Sequence, residues 1–197
     1  GGLRPFSGTF LVFLDYAKNA VRMASLMKIP NIFVYTHDSI GQGEDGPTHQ
    51  PVEQLSNLRT TPNMNVWRPC DAVETVFAWK AAIERIDGPT SLVFSRQSLP
   101  SLKRTENAIN EISKGAYIIF EVDSEPDILI IATGSEVSLG VAVAETFSKR
   151  GVSIQVVSMP CVEIFDSQPR TYRDRVLPPN VTKRVAIEAA HTYFWHK

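Results

Sequence analysis

The sequence predicts an α/β protein in which a largely parallel sheet is flanked by helices and is followed by a partial second α/β domain. Three observations predict this class. β-rich runs alternate with long apolar helical patterns, which is typical of crossover connections between parallel strands. The run Thr90–Ser95 is continuously β-rich, as expected for a strand buried on both faces. The chain has 197 residues with 43% hydrophobic content, which is sufficient for a packed core.

Two long helices are predicted in the first unit. The first spans Thr9–Lys28, where apolar residues recur at helical spacing and Thr9 is the expected N-cap. The second spans Ala72–Ile86, with Asp71 as N-cap. Four of its apolar side chains are expected to face the core: Val73, Val76, Phe77 and Ile83. Shorter elements complete the unit, with strands at Asn31–Tyr35 and Met64–Arg68 and a helix at Pro51–Arg59.

Residues Ser98–Gly115 form the least patterned part of the chain and are interpreted as a connection. We therefore place the two domains at residues 1–100 and 123–197, with 101–122 as the linker region. After Ser98–Gly115, four strands are predicted and, between the second and third, one long helix: Ala116–Val122, Asp127–Ala132, Ser135–Arg150, Ser153–Ser158 and Arg184–Glu188.

The turn Thr133-Gly134-Ser135 lies between a predicted strand and a predicted helix, where phosphate-binding turns also occur. Its single glycine is weak evidence for phosphate binding. We interpret it as a tight turn in which Ser135 caps the helix.

Composition argues against several classes of partner. The 20 basic and 21 acidic residues nearly cancel, so no global basic field exists to attract nucleic acid. No apolar run approaches the roughly 20 residues needed to span a membrane. Cys70 and Cys161 lie far apart and have no metal-binding spacing. They indicate a reducing, cytoplasmic setting.

The segment Thr36–Pro51, THDSIGQGEDGPTHQP, places two histidines and three carboxylates around three glycines directly after a predicted strand. A connecting turn needs glycine, but it does not need imidazoles. His37 follows the strand, which is the usual place for ligand contacts in an open α/β sheet. Asp38 and Glu44 are expected to bond the backbone of the segment itself. The segment is therefore interpreted as a ligand-binding loop.

Asp45 and His49 are four residues apart, but Gly46-Pro47 between them predicts a tight turn rather than one helical face. With His37, these two residues could in principle bind zinc or iron, since two imidazoles and a carboxylate are a familiar ligand set. The spacing matches no standard metal pattern, and the cysteines add nothing. No metal ligand is therefore predicted.

Phe10, Phe13 and Tyr16 recur at steps of three residues, so they are expected to share one side of the first helix. Packing into the core would explain such a row. An aromatic face would equally suit a planar, weakly polar heterocycle.

Four stretches, in order along the chain, resemble the transketolase family: YTHDSIGQGEDGPTHQPVEQLSNLR, PNMNVWRPCD, DGPTSLVFSRQ and IATGSEV. The resemblance extends over essentially the whole chain. It implies that residues 1–100 are most of a pyrimidine-binding domain and that residues 123–197 are the first part of a C-terminal domain. It also implies that both are truncated. The family's large N-terminal domain, which holds magnesium and the diphosphate of thiamine diphosphate, would then lie outside this chain.

The resemblance implies the transfer of a two-carbon ketol unit, glycolaldehyde, from a ketose phosphate to an aldose phosphate. This reaction belongs to the pentose phosphate pathway and the Calvin cycle, and it uses thiamine diphosphate and magnesium. The implied partners are sugar phosphates and a second copy of the protein, in a homodimer with active sites at the subunit interface. Because the family's essential glutamate would lie upstream of Gly1, the isolated chain is predicted to be inactive.

The resemblance also assigns roles to residues. Phe13 matches the ring that stacks on the cofactor's aminopyrimidine, and Phe10 and Tyr16 are expected beside it as cofactor-binding residues.

The substrate-binding residues follow in the same way. His37 and Arg96 match the groups that bind the substrate's terminal phosphate, and the guanidinium of Arg96 suits phosphate oxygens. Asp45 matches a carboxylate that accepts a hydrogen bond from a sugar hydroxyl. His49 matches a catalytic histidine that binds substrate near the reacting carbon and assists proton movement.

Two alternatives remain from the sequence. Dihydroxyacetone synthase and deoxyxylulose-phosphate synthase share the architecture and the cofactor. The chain could also be a non-catalytic binding or assembly module of the same fold, although the intact set of His37, Asp45, His49 and Arg96 argues against that reading.

Overall fold

The first half of the chain forms a four-stranded sheet whose strands are all parallel. A computed structural model describes residues 2–123 and 125–196. The strands of this sheet lie in the order β1-β2-β4-β3, which confirms the predicted parallel sheet flanked by helices. Their bounds are β1 (Phe6–Phe10), β2 (Ile32–Thr36), β3 (Asn65–Trp67) and β4 (Thr90–Val93).

The second half forms another four-stranded sheet, in the order β5-β7-β6-β8. Its edge strand β5 is antiparallel to β7, whereas β6 is parallel to both β7 and β8. All four predicted strands are present: β5 (Tyr117–Phe120), β6 (Ile128–Ala132), β7 (Ile154–Ser158) and β8 (Arg184–Ile187).

Helices connect the strands and cover the sheets. Within the described residues they are α1 (Leu14–Leu26), α2 (Gln54–Arg59), α3 (Ala72–Glu84), α4 (Glu106–Glu111), α5 (Glu136–Ser148), α6 (Val162–Asp166) and α7 (Arg170–Val176). Four short 3-10 turns accompany them: Leu11–Phe13, Gly43–Asp45, Ile112–Lys114 and Thr192–Trp195. The predicted tight turn before α5 is present, but the Ser135 side chain makes no capping hydrogen bond.

The predicted start of the first helix is wrong. Thr9 lies in β1, which pairs in register with β2, and α1 begins five residues later at Leu14. Phe13 occupies the N-cap position, with no side-chain cap. The apolar spacing from Phe10 onwards fits a strand followed by a turn as well as it fits a helix, so periodicity alone could not locate the boundary.

The prediction for α3 is correct at its start and partly wrong for its faces. Asp71 caps the helix, and its carboxylate accepts hydrogen bonds from the backbone amides of Val73 and Glu74, both at 3.1 Å. Val76 and Ile83, expected to face the core, are 66% and 54% exposed. The face that is buried repeats every four residues and consists of Glu74, Ala78 and Ala82.

The two halves share their cores. Tyr117 and Cys161 of the second half pack in the same buried cluster as Trp67 and Leu92 of the first. The region interpreted as a loose connection is ordered here, since it contains α4 and buries Ile112 in that cluster. The domain limits at 1–100, 101–122 and 123–197 remain a prediction.

Buried polar groups lie at the same interface. Asp71 also forms an ion pair with Arg104 at 2.6 Å, with both side chains about 1% exposed. Burial by itself raises the pKa of Asp71, but hydrogen bonds from Arg104 and from backbone amides hold it below the usual value. Glu74, fully buried, accepts hydrogen bonds from the Tyr117 hydroxyl at 2.8 Å and the Ser158 hydroxyl at 2.6 Å.

We expect Asp71→Ala to lower the free energy of unfolding by about 3 kcal/mol, because it removes a helix cap and leaves a buried guanidinium without its closest carboxylate. Glu74, at 3.7 Å from Arg104, limits the loss. Thr105→Ala is the matched control, since Thr105 caps α4 through the Ala108 amide at 3.2 Å. That variant should lose only about 1 kcal/mol. Urea denaturation measures both, and equal losses would contradict the role given to the ion pair.

Candidate active site

Three neighbouring strands end at one edge of the first sheet and bring the predicted site segments together. Strands β1, β2 and β4 are adjacent and parallel, so their carboxyl ends lie side by side. Phe10–Phe13 follows from β1, the loop from His37 to His49 follows β2, and Arg96 follows β4. This edge is the usual place for ligand binding in open α/β sheets.

The three predicted cofactor-binding rings form a row, although they do not share one helix. Phe10 ends β1, Phe13 ends the 3-10 turn, and Tyr16 lies in the first turn of α1. The ring centroids of Phe10 and Phe13 are 5.8 Å apart with the planes nearly parallel, at 11°. Those of Phe13 and Tyr16 are 5.9 Å apart. Phe10 and Phe13 are half-buried and Tyr16 is 89% exposed, so this row runs outward to the surface.

His37 is held in a strained backbone conformation against this row. Its φ of 56° is in the left-handed region, which is uncommon for a residue with a side chain. Its ring stacks on Phe10, with centroids 3.7 Å apart and planes at 26°. Its Nδ1 lies 3.0 Å from the Thr36 hydroxyl. Because this contact uses Nδ1, Nε2 is the nitrogen available to a ligand.

His49 approaches the same row from its edge. Its ring is 5.3 Å from that of Phe13 and nearly perpendicular to it, at 75°. It is also 6.3 Å from Phe10. The Thr48 hydroxyl lies 2.9 Å from Nδ1 of His49. Both histidines of the predicted loop therefore lie beside the predicted cofactor-binding rings.

A buried amide fixes the backbone of this loop. The Gln42 side chain is 1% exposed, and its Nε2 donates to the carbonyl of Ser39 at 3.1 Å and to the carbonyl of His49. The His49 amide donates to the Gly46 carbonyl at 3.1 Å, which closes the predicted tight turn. Gly46 has a φ of 76°, a conformation that glycine adopts without strain. Sequence reasoning did not identify Gln42.

Asp45 and Arg96 lie at the same edge but are exposed. Asp45 ends the 3-10 turn Gly43–Asp45. Arg96 follows Phe94, whose amide bonds the Tyr35 carbonyl at 2.7 Å just before the loop begins. Within the part of the chain that the structure describes, no hydrogen bond or ion pair joins either side chain to His37 or His49. The structure thus brings two imidazoles and three rings into contact and leaves the carboxylate and the guanidinium on the surface nearby.

The prediction that Asp38 bonds the backbone of its own loop is wrong. Asp38 is buried, and its Oδ2 accepts from Nε of Arg68 at 2.9 Å and forms an ion pair with a terminal nitrogen of that guanidinium at 2.7 Å. Burial by itself lowers the pKa of Arg68, but the carboxylates of Asp38 and Glu136 raise it well above its usual value. These partners are 30 and 68 positions from Arg68. No local pattern joins these residues, so sequence patterns could not predict this group.

A second buried ion pair fastens the helix that follows the loop. Arg59, at the end of α2, bonds both carboxylate oxygens of Glu188 at 2.6 and 2.7 Å. Burial by itself raises the pKa of Glu188, but Arg59 holds it at about 2. Glu188 directly follows β8, so this pair joins the two sheets.

Residues 2–123 and 125–196 contain neither a metal-binding cluster nor a membrane-spanning helix. No group of three or more His, Cys, Asp and Glu side chains there is arranged to hold a metal ion. No helix in that part of the chain has the length and apolar character required to cross a membrane.

Comparison with known families shows to which family the chain belongs. A family model described as "Transketolase, pyrimidine binding domain" matches residues 1–101, and one described as "Transketolase-like TK C-terminal domain" matches residues 115–197. The chain belongs to the transketolase family. Among curated transketolases, "Transketolase 1" of Vibrio parahaemolyticus is 58% identical and "Transketolase 1" of Aliivibrio fischeri 57% identical, each over 197 residues and the whole of this chain. The chain spans 30% of the length of each.

Solved transketolase structures have the same fold. The transketolase from Leishmania mexicana is 47% identical with a TM-score of 0.93, over 98% of this chain and 28% of that one. The Pichia stipitis transketolase in complex with sedoheptulose-7-phosphate is 46% identical with a TM-score of 0.91, over 96% of this chain and 28% of that one. A structure described as "Split gene transketolase, inactive beta4 tetramer" is 26% identical with a TM-score of 0.75, over 95% of this chain and 58% of that one.

We expect Gln42→Ala to loosen the loop around His49, because the amide that bonds two of its carbonyls is lost. Hydrogen exchange of the His49 amide should accelerate by about tenfold, as expected for the loss of one net hydrogen bond. Gln50→Ala is the matched control, because Gln50 bonds the Ile40 carbonyl at 3.2 Å from an exposed position in the same loop. Gln50→Ala should accelerate exchange of the His49 amide less than Gln42→Ala does. Unchanged exchange in Gln42→Ala would contradict the role given to this side chain.

Proposed function

We propose that the full-length protein containing this chain is a transketolase, which transfers a two-carbon ketol unit from a ketose phosphate to an aldose phosphate. The observation that carries the proposal is the contact between Phe10, Phe13 and the two imidazoles of His37 and His49 at the carboxyl edge of the parallel sheet. The Pichia stipitis relative, crystallised with sedoheptulose-7-phosphate, supports sugar phosphates as the substrates.

The row of rings fits the aminopyrimidine of thiamine diphosphate. Phe13 lies between Phe10 and Tyr16 and is partly exposed, so a planar heterocycle can pack against it. These three residues would hold the pyrimidine. When bound, thiamine diphosphate supplies the carbanion chemistry needed to cleave and form the carbon–carbon bond. Magnesium and the diphosphate would be held by residues outside this chain.

His49 would act next to the reacting carbon. Its ring lies edge-on to Phe13, beside the place proposed for the heterocycle. An imidazole there can donate a hydrogen bond to a hydroxyl of the two-carbon unit and move a proton at that oxygen. The fixed loop backbone places this group before substrate binds, which reduces the entropy lost in reaching the reactive geometry.

The substrate's other groups would be bound along the same edge. His37 would donate from Nε2 to the terminal phosphate, and the exposed guanidinium of Arg96 would bind phosphate oxygens in a bidentate manner. Asp45 would accept a hydrogen bond from a sugar hydroxyl. A site built around such a bond rejects the epimer that cannot form it, because a polar group is then left unpaired.

A homodimer in the cytoplasm is part of the proposal. Helix α1 and its C-cap expose Tyr16, Met23, Leu26 and Met27, and exposed apolar side chains of this kind suit a protein interface. Tyr16 belongs to the aromatic row, so a partner covering α1 would also cover the proposed cofactor site. The relatives above carry the name transketolase, which favours this activity over dihydroxyacetone synthase and deoxyxylulose-phosphate synthase.

The activity test compares two proteins. A full-length polypeptide containing these 197 residues should transfer a ketol unit from a ketose phosphate to an aldose phosphate when supplied with thiamine diphosphate and magnesium. The 197-residue chain alone should show no turnover, because the diphosphate and magnesium would have no ligands. The split-gene relative described as inactive supports this expectation. Product formation is followed by chromatography. An inactive full-length protein would refute the proposed function. Turnover by the 197-residue chain alone would refute the prediction that the activity depends on residues outside this chain.

A second prediction concerns Asp45. In the full-length protein, Asp45→Ala should reduce discrimination between donor sugars that differ at one hydroxyl by about tenfold to a hundredfold, as expected for the loss of a charged hydrogen-bond acceptor. Glu44→Ala is the control, since Glu44 is the neighbouring exposed carboxylate of the same turn. The ratio of kcat/KM for the two epimers is the measurement. Unchanged discrimination in Asp45→Ala would remove this role.

A further inference from the structure

The buried group around Arg68 joins the second sheet to the phosphate end of the proposed site. His37 is followed directly by Asp38, whose carboxylate bonds Arg68. Arg68 directly follows β3 and has no exposed side-chain surface. The loop that carries His37 is therefore attached at its first turn to a residue that lies between the two sheets.

The second sheet fixes Arg68 on the opposite side. One terminal nitrogen of its guanidinium donates to the Thr133 carbonyl at 2.7 Å, to the Thr133 hydroxyl at 2.9 Å and to Glu136 at 2.5 Å. The other donates to the Ser135 hydroxyl at 3.3 Å. Thr133 and Ser135 belong to the turn between β6 and α5, which the sequence predicts to be a tight turn, and Glu136 is the first residue of α5.

Backbone contacts and close packing make this attachment rigid. The Arg68 amide donates to the Pro160 carbonyl at 2.8 Å, and its carbonyl accepts from the Gly134 amide at 3.0 Å. A Cβ on Gly134 would lie 2.7 Å from the Arg68 guanidinium carbon, so only glycine fits under the side chain. Glu136 is held in turn by the Ala189 amide at 3.0 Å.

His37 needs such support. A non-glycine residue in the left-handed region is strained, and strain of this kind persists only where the surroundings hold the residue in place. The neighbours of His37 do this from both sides, with Phe10 stacked on its ring and Asp38 bonded to Arg68. A change in the position of Asp38 would rotate the backbone of His37 and move its imidazole.

We propose that Asp38, Arg68 and Glu136 are positioning residues through which the second α/β domain sets the location of the His37 imidazole and thereby the recognition of the substrate's phosphate. The inference rests on the proposed function, in which His37 binds that phosphate. None of the three touches substrate in this proposal. Their effect is expected in the preference for phosphorylated over unphosphorylated acceptors.

The test uses the full-length enzyme loaded with thiamine diphosphate and magnesium. For each variant, kcat and KM are measured with an aldose phosphate and with the same aldose lacking the phosphate, and the ratio of the two kcat/KM values gives the phosphate preference. Asp38→Asn and Glu136→Gln should lower this preference by about tenfold, mainly through KM, because displacement of a positioned group is costly. If Asp38→Asn yields too little folded protein, Glu136→Gln decides, because its side chain is 15% exposed and tolerates loss of charge better.

Two controls separate positioning from stability. Asp71→Asn weakens a different buried carboxylate–arginine pair, that of Asp71 and Arg104. Any change that it causes in kcat/KM should be equal for the two acceptors. His37→Ala should lower the phosphate preference by itself. In that background, Asp38→Asn should lower it no further, because effects transmitted through one group are not additive.

The outcomes distinguish the inference from the proposed function. One outcome is that His37→Ala lowers the phosphate preference, whereas Asp38→Asn and Glu136→Gln lower kcat/KM equally for both acceptors. The positioning inference is then overturned and the proposed function stands. If Asp38→Asn lowers the preference equally with and without His37, transmission through His37 is likewise overturned. If His37→Ala leaves the preference unchanged, both the phosphate role of His37 and the inference are overturned.

Discussion

Between the two sheets lies a guanidinium with no exposed surface, and its charge constrains everything around it. Removing a charge from water costs several kcal/mol unless oppositely charged and hydrogen-bonding partners surround it. Arg68 finds Asp38 on the first sheet's loop and Glu136 on the second sheet's helix. Neither half of the chain supplies both carboxylates. The two ion pairs therefore constrain how the first sheet packs against the second. They also require the loop after β2 to turn inward at Asp38.

Apolar packing satisfies the same requirement. Tyr117 of β5 enters the cluster beneath α3, and its hydroxyl reaches the buried carboxylate of Glu74. Because Glu74 also accepts from Ser158 of β7, a displacement of the second sheet would remove two hydrogen bonds from a buried carboxylate. The loss of hydrogen bonds to a buried charge is costly. Hydrophobic contacts and polar satisfaction thus favour one arrangement of the two sheets.

The sequence was informative where the cause is local. The β-rich runs located the strands, and Asp71 before an apolar helix identified a cap that its amide contacts confirm. Local patterns failed where distant residues decide. Thr9 pairs with β2 rather than starting a helix, and Asp38 meets an arginine 30 positions away. The apolar character of Val76 predicts a core position, although its helix buries a different face. The roles of Phe13, His37, Asp45, His49 and Arg96 came from a resemblance and remain predictions.

The geometry of the proposed site follows from a division between fixed and exposed groups. His37 and His49 lie on a loop whose backbone is held by buried side chains, through Asp38 for one and Gln42 for the other. Asp45 and Arg96 are exposed at the same edge, where a ligand can reach them. In the proposed function His49 acts near the reacting carbon and His37 anchors the terminal phosphate, so both must be placed accurately before substrate arrives. The long, charged side chain of Arg96 can instead adjust to that phosphate from the surface. Buried support accordingly lies beneath the two imidazoles that pack against the aromatic row.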